Sequence, residues 1–187
     1  EEGILKGMYL FREGNGEGEK NSNLRIQLLG SGTILREVIA AADILKEEYG
    51  VISDIWSVTS FNELRREALD VTRWNMLHPT EKPKKSYVRS CLEKQEGPVV
   101  AATDYMKIFA DQIREFVPGK YRVLGTDGFG RSDTREKLRQ FFEVDRYYVT
   151  VAALKSLAED GKISPEKVVE AINKYNIDPD KPNPIKV

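Results

Sequence analysis

The sequence predicts an α/β domain, a mostly parallel β-sheet with helices on both faces. Three observations carry this expectation. Short apolar runs lie within residues 24–29, 51–58, 99–102 and 121–124, each bounded by turn residues and too short for a helix. Between them run longer stretches whose apolar residues recur at helical spacing. Glycine-rich turns follow the first and last of these strands and lead into helices, as at the carboxyl edge of an alternating sheet.

Taken in order, Ile4 to Phe11 reads as a strand or an extended linker, and Arg12 to Asn23 as a mobile loop or hairpin rich in Gly, Asn and Glu. Leu24 to Leu29 is the first firm strand. Gly30-Ser31-Gly32-Thr33 turns into a helix whose face carries Leu35, Val38, Ile39, Ala42, Leu45 and Tyr49, stopped by Gly50. The next strand centres on Ile55, Trp56 and Val58. A short helix over 61–69, opened by Ser60 or Asn62, gives way to an irregular stretch, Trp74 to Lys85, with two prolines. Ser86 to Lys94 is helical, Gly97-Pro98 breaks it, and Val99 to Ala102 is the third strand. A helix with Tyr105, Ile108, Phe109, Ile113 and Phe116 on one side ends at Pro118-Gly119. Tyr121 to Leu124 is a buried strand; Gly125, Gly128 and Gly130 form a turn; Ser132 or Asp133 opens the next helix, with Glu136 placed to complete a capping box. Helices over 147–160 and from Pro165 follow, the second with Ser164 as its cap. The tail has three prolines and is irregular. Residues 1–23 are thus the end of a preceding domain or linker plus a loop, and 24–187 one domain.

Composition narrows the function. Hydrophobic residues make up 40% of the 187-residue chain, enough for a core, and the formal net charge of −1 provides no general field for nucleic acid or an anionic membrane. No apolar run approaches the ~18 residues of a membrane helix. The single cysteine, Cys91, excludes an internal disulfide and points to a reducing, intracellular compartment. Glu1 is not an initiator methionine and the chain opens directly in EEGILKGMYLF, so it reads as part of a longer protein.

Local chemistry is sparse. Gly30-Ser31-Gly32 is half of a dinucleotide fingerprint; the third glycine is replaced by Leu35, and Asp54 lies at the start of its strand rather than the carboxyl end. A tight turn packing a helix on the sheet is the simpler reading. The turn GTDGFGRS offers more to an anion: backbone amides, the hydroxyls of Thr126 and Ser132, Gly128, Gly130 and Arg131, against a repelling Asp127. It lacks P-loop spacing. The alternative is a structural turn whose Phe129 plugs a neighbouring surface. Asp104 and Asp127 each follow a strand and serve as a carboxylate pair or, more simply, as helix caps. His78 is the only histidine and has no local metal-ligand spacing.

Three segments together carry a more specific signal: SVTSFNELRREALDVTRWNMLHP, AATDYMKIFADQIREFVPGKYRVLGTDGFGRSDTREKLRQFFEVD and the opening EEGILKGMYLF. They resemble the C-terminal region of the homodimeric, bacterial-type decarboxylase component of the pyruvate dehydrogenase complex, over nearly the whole chain. The resemblance implies a cytoplasmic enzyme of three α/β domains related to transketolase. It also implies that this chain is the third, a five-stranded, mostly parallel sheet with one antiparallel strand. In that family thiamine diphosphate and magnesium bind between the first two domains, and the acetyl group passes to a lipoyl-bearing acetyltransferase component. The family's cofactor motif, GDG followed by an asparagine pair, is missing here, so the resemblance assigns this region no catalytic, cofactor or metal residue. It implies scaffold and dimer surface. The interface candidates are Ile4, Leu5, Met8 and Tyr9 with Trp74 and His78, because interface cores are enriched in aromatics and methionine.

Overall fold

The computed structural model describes residues 1–14 and 24–187. Most of the loop expected over Arg12–Asn23 lies outside the described residues. A five-stranded sheet has the order β1-β3-β2-β4-β5, formed by β1 (Met8–Arg12), β2 (Arg25–Ser31), β3 (Ile52–Val58), β4 (Val99–Ala102) and β5 (Tyr121–Leu124). Strand β1 runs antiparallel to β3, and all other pairings are parallel. Met8–Arg12, which the sequence assigns to a preceding domain or linker, therefore supplies the antiparallel edge of this same sheet. Ahead of it, Glu2–Leu5 is a single helical turn, α1, rather than strand.

Two apolar layers sandwich the sheet. Ile26, Leu28, Ile55 and Val100 face α2 (Leu35–Tyr49), α7 (Arg146–Glu159) and α8 (Pro165–Lys174). Leu29, Trp56, Val99 and Ala101 face α3 (Phe61–Leu77), α4 (Tyr87–Leu92) and the segment of α5 (Lys107–Asp111) through Val117. Strand β2 is the axis of both layers, with Ile26 through Ser31 all buried. The winding turns around at β2. The chain moves outward from β2 to β3, crosses to β4 on the far side, and continues outward to β5. The carboxyl ends of β2 and β4 thus flank a switch point, where connections diverge and leave a crevice. Across it Ser31 Oγ donates to Thr103 Oγ1 at 2.7 Å, both residues buried.

Several local details differ from the sequence reading. Helix α3 continues through Leu77, so Trp74 is helical. No glycine or proline interrupts residues 61–77, and Pro79 is the first residue to forbid continuation. The expected long helix after β4 is only α5 plus a 3-10 turn at Arg114–Phe116. Ala110, Ile113 and Phe116 are buried there, while Tyr105, Ile108 and Phe109 are exposed. Strand β5 is an edge, buried at Tyr121 and half-buried beyond it.

One buried polar network sits inside the sheet. Gln27 Oε1 accepts from Trp56 Nε1 at 2.8 Å, and its Nε2 donates to Asp54 Oδ2 at 2.7 Å and to the Glu96 carbonyl at 3.0 Å. Asp54 also accepts from the Gly14 amide at 2.8 Å and from Arg25 at 3.3 Å. Asp54, at the wrong end of its strand for a ribose, is consumed as a structural acceptor. Replacing Gln27 with Leu leaves the Trp56 and Asp54 groups without their partner in the core. We expect a loss of about 2–3 kcal/mol in denaturant unfolding, with an unchanged far-UV circular dichroism spectrum.

Candidate functional site

The carboxyl edge of the sheet carries a cleft of about 360 Å³ lined from three strands and from α6 (Arg135–Phe141). Thr33 and Ile34 follow β2, Asp104 follows β4, and Thr126, Gly128, Gly130 and Arg131 follow β5. Arg135, Leu138 and Arg139 of α6 close the far wall with Phe142 and Val144.

Each wall has a physical cause. Gly30 at the end of β2 lets the next helix approach, since a Cβ there would lie 2.9 Å from Leu35 Cα. The simpler reading of Gly30-Ser31-Gly32, a packing turn, is what the structure has. Thr33 Oγ1 donates to Asp104 Oδ2 at 3.0 Å, and Thr126 Oγ1 donates to the Asp104 carbonyl at 2.7 Å. The two hydroxyls tie the three loops together and hold the Asp104 carboxylate in the cleft. Asp127 points away, its Oδ1 accepting from the Lys107 amide at 2.9 Å at the start of α5. Of the expected carboxylate pair, Asp127 is thus a cap on a neighbouring helix, and Asp104 remains with the cleft.

The glycine turn is shaped by the C-terminal tail. Gly128 has φ +114°, and a Cβ there would meet the Pro184 carbonyl oxygen at 2.4 Å. Pro184 is buried against the turn by the 3-10 turn Pro184–Lys186. Phe129 is 79% exposed and plugs no surface formed by the described residues. The cap of α6 is Thr134, whose Oγ1 accepts from the Lys137 amide, rather than Ser132 or Asp133; Asp133 Oδ1 instead accepts from the Thr134 amide at 2.7 Å. Ser132 is exposed and does not line the cleft. The structure therefore brings Thr126, Gly128, Gly130 and Arg131 together and leaves Asp127 and Ser132 aside.

The far wall rests on Glu37 of α2. Its side chain is buried and accepts from Arg139 Nη1 at 2.7 Å, Arg146 Nε at 3.0 Å and the Arg146 amide at 3.1 Å. Burial alone would push the Glu37 carboxyl up. The hydrogen bonds and charges of Arg146 and Arg139 outweigh burial and hold the carboxyl below its ordinary value. Arg131 stacks on the Phe141 ring, its guanidinium carbon 4.4 Å from the ring centroid. Neither Arg131 nor Arg135 has a carboxylate partner among the described residues.

The interface candidates divide. Met8 is fully buried in the chain's own core, because the β1–β3 register sets it opposite Val58 beneath α3. It is therefore withdrawn from any surface. Ile4 and Leu5 are 52% and 79% exposed, Tyr9 is half-buried, and Leu10 and Phe11 of β1 are exposed beside them. Trp74 and His78 stack with ring centroids 4.3 Å apart, His78 Nδ1 hydrogen-bonds the Trp74 carbonyl at 2.9 Å, and Lys84 covers the indole at 3.8 Å. A second exposed apolar group, Tyr105, Met106, Ile108 and Phe109, lies beside the cleft and was not anticipated as surface. No helix among the described residues is long and apolar enough to cross a membrane.

The fold defines a doubly wound α/β domain with one antiparallel edge strand, and the comparisons place it. A family model described as the transketolase-like TK C-terminal domain matches residues 7–145. The chain belongs to this family. It is 64% identical over its full length to the pyruvate dehydrogenase E1 component of Cupriavidus necator. It is 61% identical over 99% of its length to that of Pseudomonas aeruginosa, and 56% identical over 98% to that of Escherichia coli. The chain spans about a fifth of the length of these relatives, 21%, 21% and 20% respectively. Among solved structures, transketolase from Leishmania mexicana superposes with a TM-score of 0.54 at 16% identity, over 84% of this chain and 19% of that one. A split-gene transketolase, an inactive β4 tetramer, gives 0.54 at 16% identity, over 82% of this chain and 43% of that one. These two similarities concern the fold alone.

The depressed Glu37 carboxyl makes a signed prediction. A group whose folded pKa lies below its ordinary value contributes stability above that value and loses it as pH falls. Glu37→Gln is expected to destabilise the chain by about 1–3 kcal/mol at neutral pH. The gap to the parent should narrow as pH drops below the ordinary value near 4.5. Denaturant unfolding of both chains across pH 3–7 reads this directly.

Proposed function

We propose that this chain is the C-terminal domain of a pyruvate dehydrogenase E1 component, with strand β1 (Met8–Arg12) as part of its body. The proposed parent enzyme is cytoplasmic, homodimeric and dependent on thiamine diphosphate and magnesium. It decarboxylates pyruvate and reductively acetylates the lipoyl group of the acetyltransferase component. The observation that carries this reading is identity of 56–64% to E1 components across essentially the whole chain.

In this reading the domain is scaffold and interface. The thiamine cofactor is, in this reading, held by other parts of the parent enzyme. No three His, Cys, Asp or Glu among them stand together to hold a metal, and Asp127 of the GTDG turn is spent on the Lys107 amide. No step of the reaction is therefore derived from this chain. Its contribution is apolar surface. Ile4, Leu5, Leu10 and Phe11 at the β1 edge, and Tyr105, Met106, Ile108 and Phe109 at the carboxyl edge, are the faces offered to the N-terminal and middle domains and to the second protomer. The Trp74–His78 stack is a third candidate, already rigid and half-covered by Lys84.

The test uses the full-length polypeptide. It is expected to acetylate a lipoyl domain with pyruvate in a thiamine diphosphate-dependent reaction. Phe11→Glu and Ile108→Glu should leave the domain's own stability within about 0.5 kcal/mol, yet shift the full-length protein toward monomer or loosen its domains in sedimentation and limited proteolysis. A full-length protein that turns over no pyruvate would overturn the enzymatic reading. Unchanged assembly in both variants would overturn the surface assignment.

A further inference from the structure

The cleft at the switch point has an asymmetric set of polar groups that the scaffold reading does not use. One wall consists of donors. Arg131 and Arg135 are exposed guanidinium groups without carboxylate partners among the described residues. Stacking on Phe141 fixes Arg131 while consuming none of its N–H groups. Arg139, the third arginine in the cleft, is held by Glu37, a carboxylate it shares with Arg146, and serves as wall rather than ligand group. The other wall consists of acceptors. Thr33 and Thr126 have already spent their hydroxyl hydrogens on Asp104, so each turns only oxygen lone pairs outward. The Asp104 carboxylate lies between them, Oδ2 taken by Thr33 and Oδ1 resting against Gly32.

A bare anion would satisfy the arginines and leave three acceptors facing it, one of them charged. An apolar ligand would satisfy neither wall. A single ammonium group would satisfy Asp104 alone, whereas the acceptors come from loops after three different strands and ask for several separate donors. The volume, about 360 Å³, is at the lower end of small-molecule sites.

We propose that this cleft binds a small phosphate ester carrying free hydroxyl groups. Arg131 and Arg135 take the phosphate, since two planar guanidinium forks match a dianion in charge and geometry. Asp104, with the oxygens of Thr33 and Thr126, accepts hydrogen bonds from the hydroxyls. The assignment stands on groups of this chain alone and is independent of the reaction proposed above. A phosphate ester of this class reaches the site either as a free sugar phosphate or as the ribose phosphate of a nucleotide.

Calorimetric titration of the full-length polypeptide with ribose 5-phosphate, AMP, inorganic phosphate, ribose and O-phosphoserine separates the possibilities. Ribose 5-phosphate or AMP is expected to saturate at least tenfold more tightly than inorganic phosphate, and ribose alone to bind weakest. The tighter of the two esters identifies the source. Arg131→Ala and Arg135→Ala should each weaken the ester and inorganic phosphate together by tenfold or more. Asp104→Asn should remove the ester's advantage over inorganic phosphate, which should bind as tightly as to the parent or more tightly once the facing negative charge is gone. Melting temperatures of the three variants serve as the folding control. The proposal is overturned if both arginine variants bind the esters as tightly as the parent, if inorganic phosphate matches them, or if O-phosphoserine binds more tightly than either.

Discussion

The buried carboxylate of Glu37 is the interaction on which the carboxyl edge depends. Helix α6 contributes no buried residue to the core, so the hydrophobic effect does little to place it. Its position is set from outside: Arg139 is tied to Glu37 on α2, and Lys181 of the tail donates to the Phe141 carbonyl at 2.8 Å. The same carboxylate takes Arg146 at the start of α7. One charge thus joins α2, which follows the central strand, to α6, which closes the cleft, and to the start of α7. A buried carboxylate is costly unless it is paired and hydrogen-bonded, and this one is both. The arrangement stabilises a geometry rather than a core.

The sheet supplies the other half of that geometry. Because the winding reverses at β2 and β4, the loops after those strands diverge, and the Ser31–Thr103 hydrogen bond holds the strand ends together beneath them. The loops above are then spaced by Thr33, Asp104 and Thr126. Core, strand ends and loops form successive layers, each fixing the one above it. The apolar face at β1 lies outside this sequence of layers, whereas the Tyr105–Phe109 segment is joined to those layers where the Thr126 amide donates to the Tyr105 carbonyl at 2.9 Å.

The four mutually parallel strands β2–β5 were legible because each is an apolar run bounded by turn residues, and the helices α2, α7 and α8 because their periodicity coincides with real burial. Strand β1 was blurred by the helical turn before it, and only Met8 in it is buried while Leu10 and Phe11 are exposed, as on an edge. The second half of α3 was missed because the helix buries only Phe61, Leu64 and Ala68, all in its first half, which leaves Trp74 without an apolar stripe to mark it. The turn Ser132-Asp133-Thr134 holds three adjacent capping residues, and local chemistry does not choose among them; the docking of α6 does. In the candidate site, Thr126, Gly128, Gly130 and Arg131 were legible as one segment. Glu37 and Arg139 were not, being 102 residues apart and joined only by the fold.

The central claim is that the cleft is preformed and that Glu37 holds its far wall. Amide hydrogen exchange of the full-length polypeptide and its Glu37→Gln variant tests this most directly, because exchange resolves local opening from global unfolding. The account predicts faster exchange confined to α6, the start of α7 and the turn at 125–132, with β2, β3 and β4 unchanged. Protection in α6 that is unaltered by the substitution, or lost equally across the whole sheet, would contradict it.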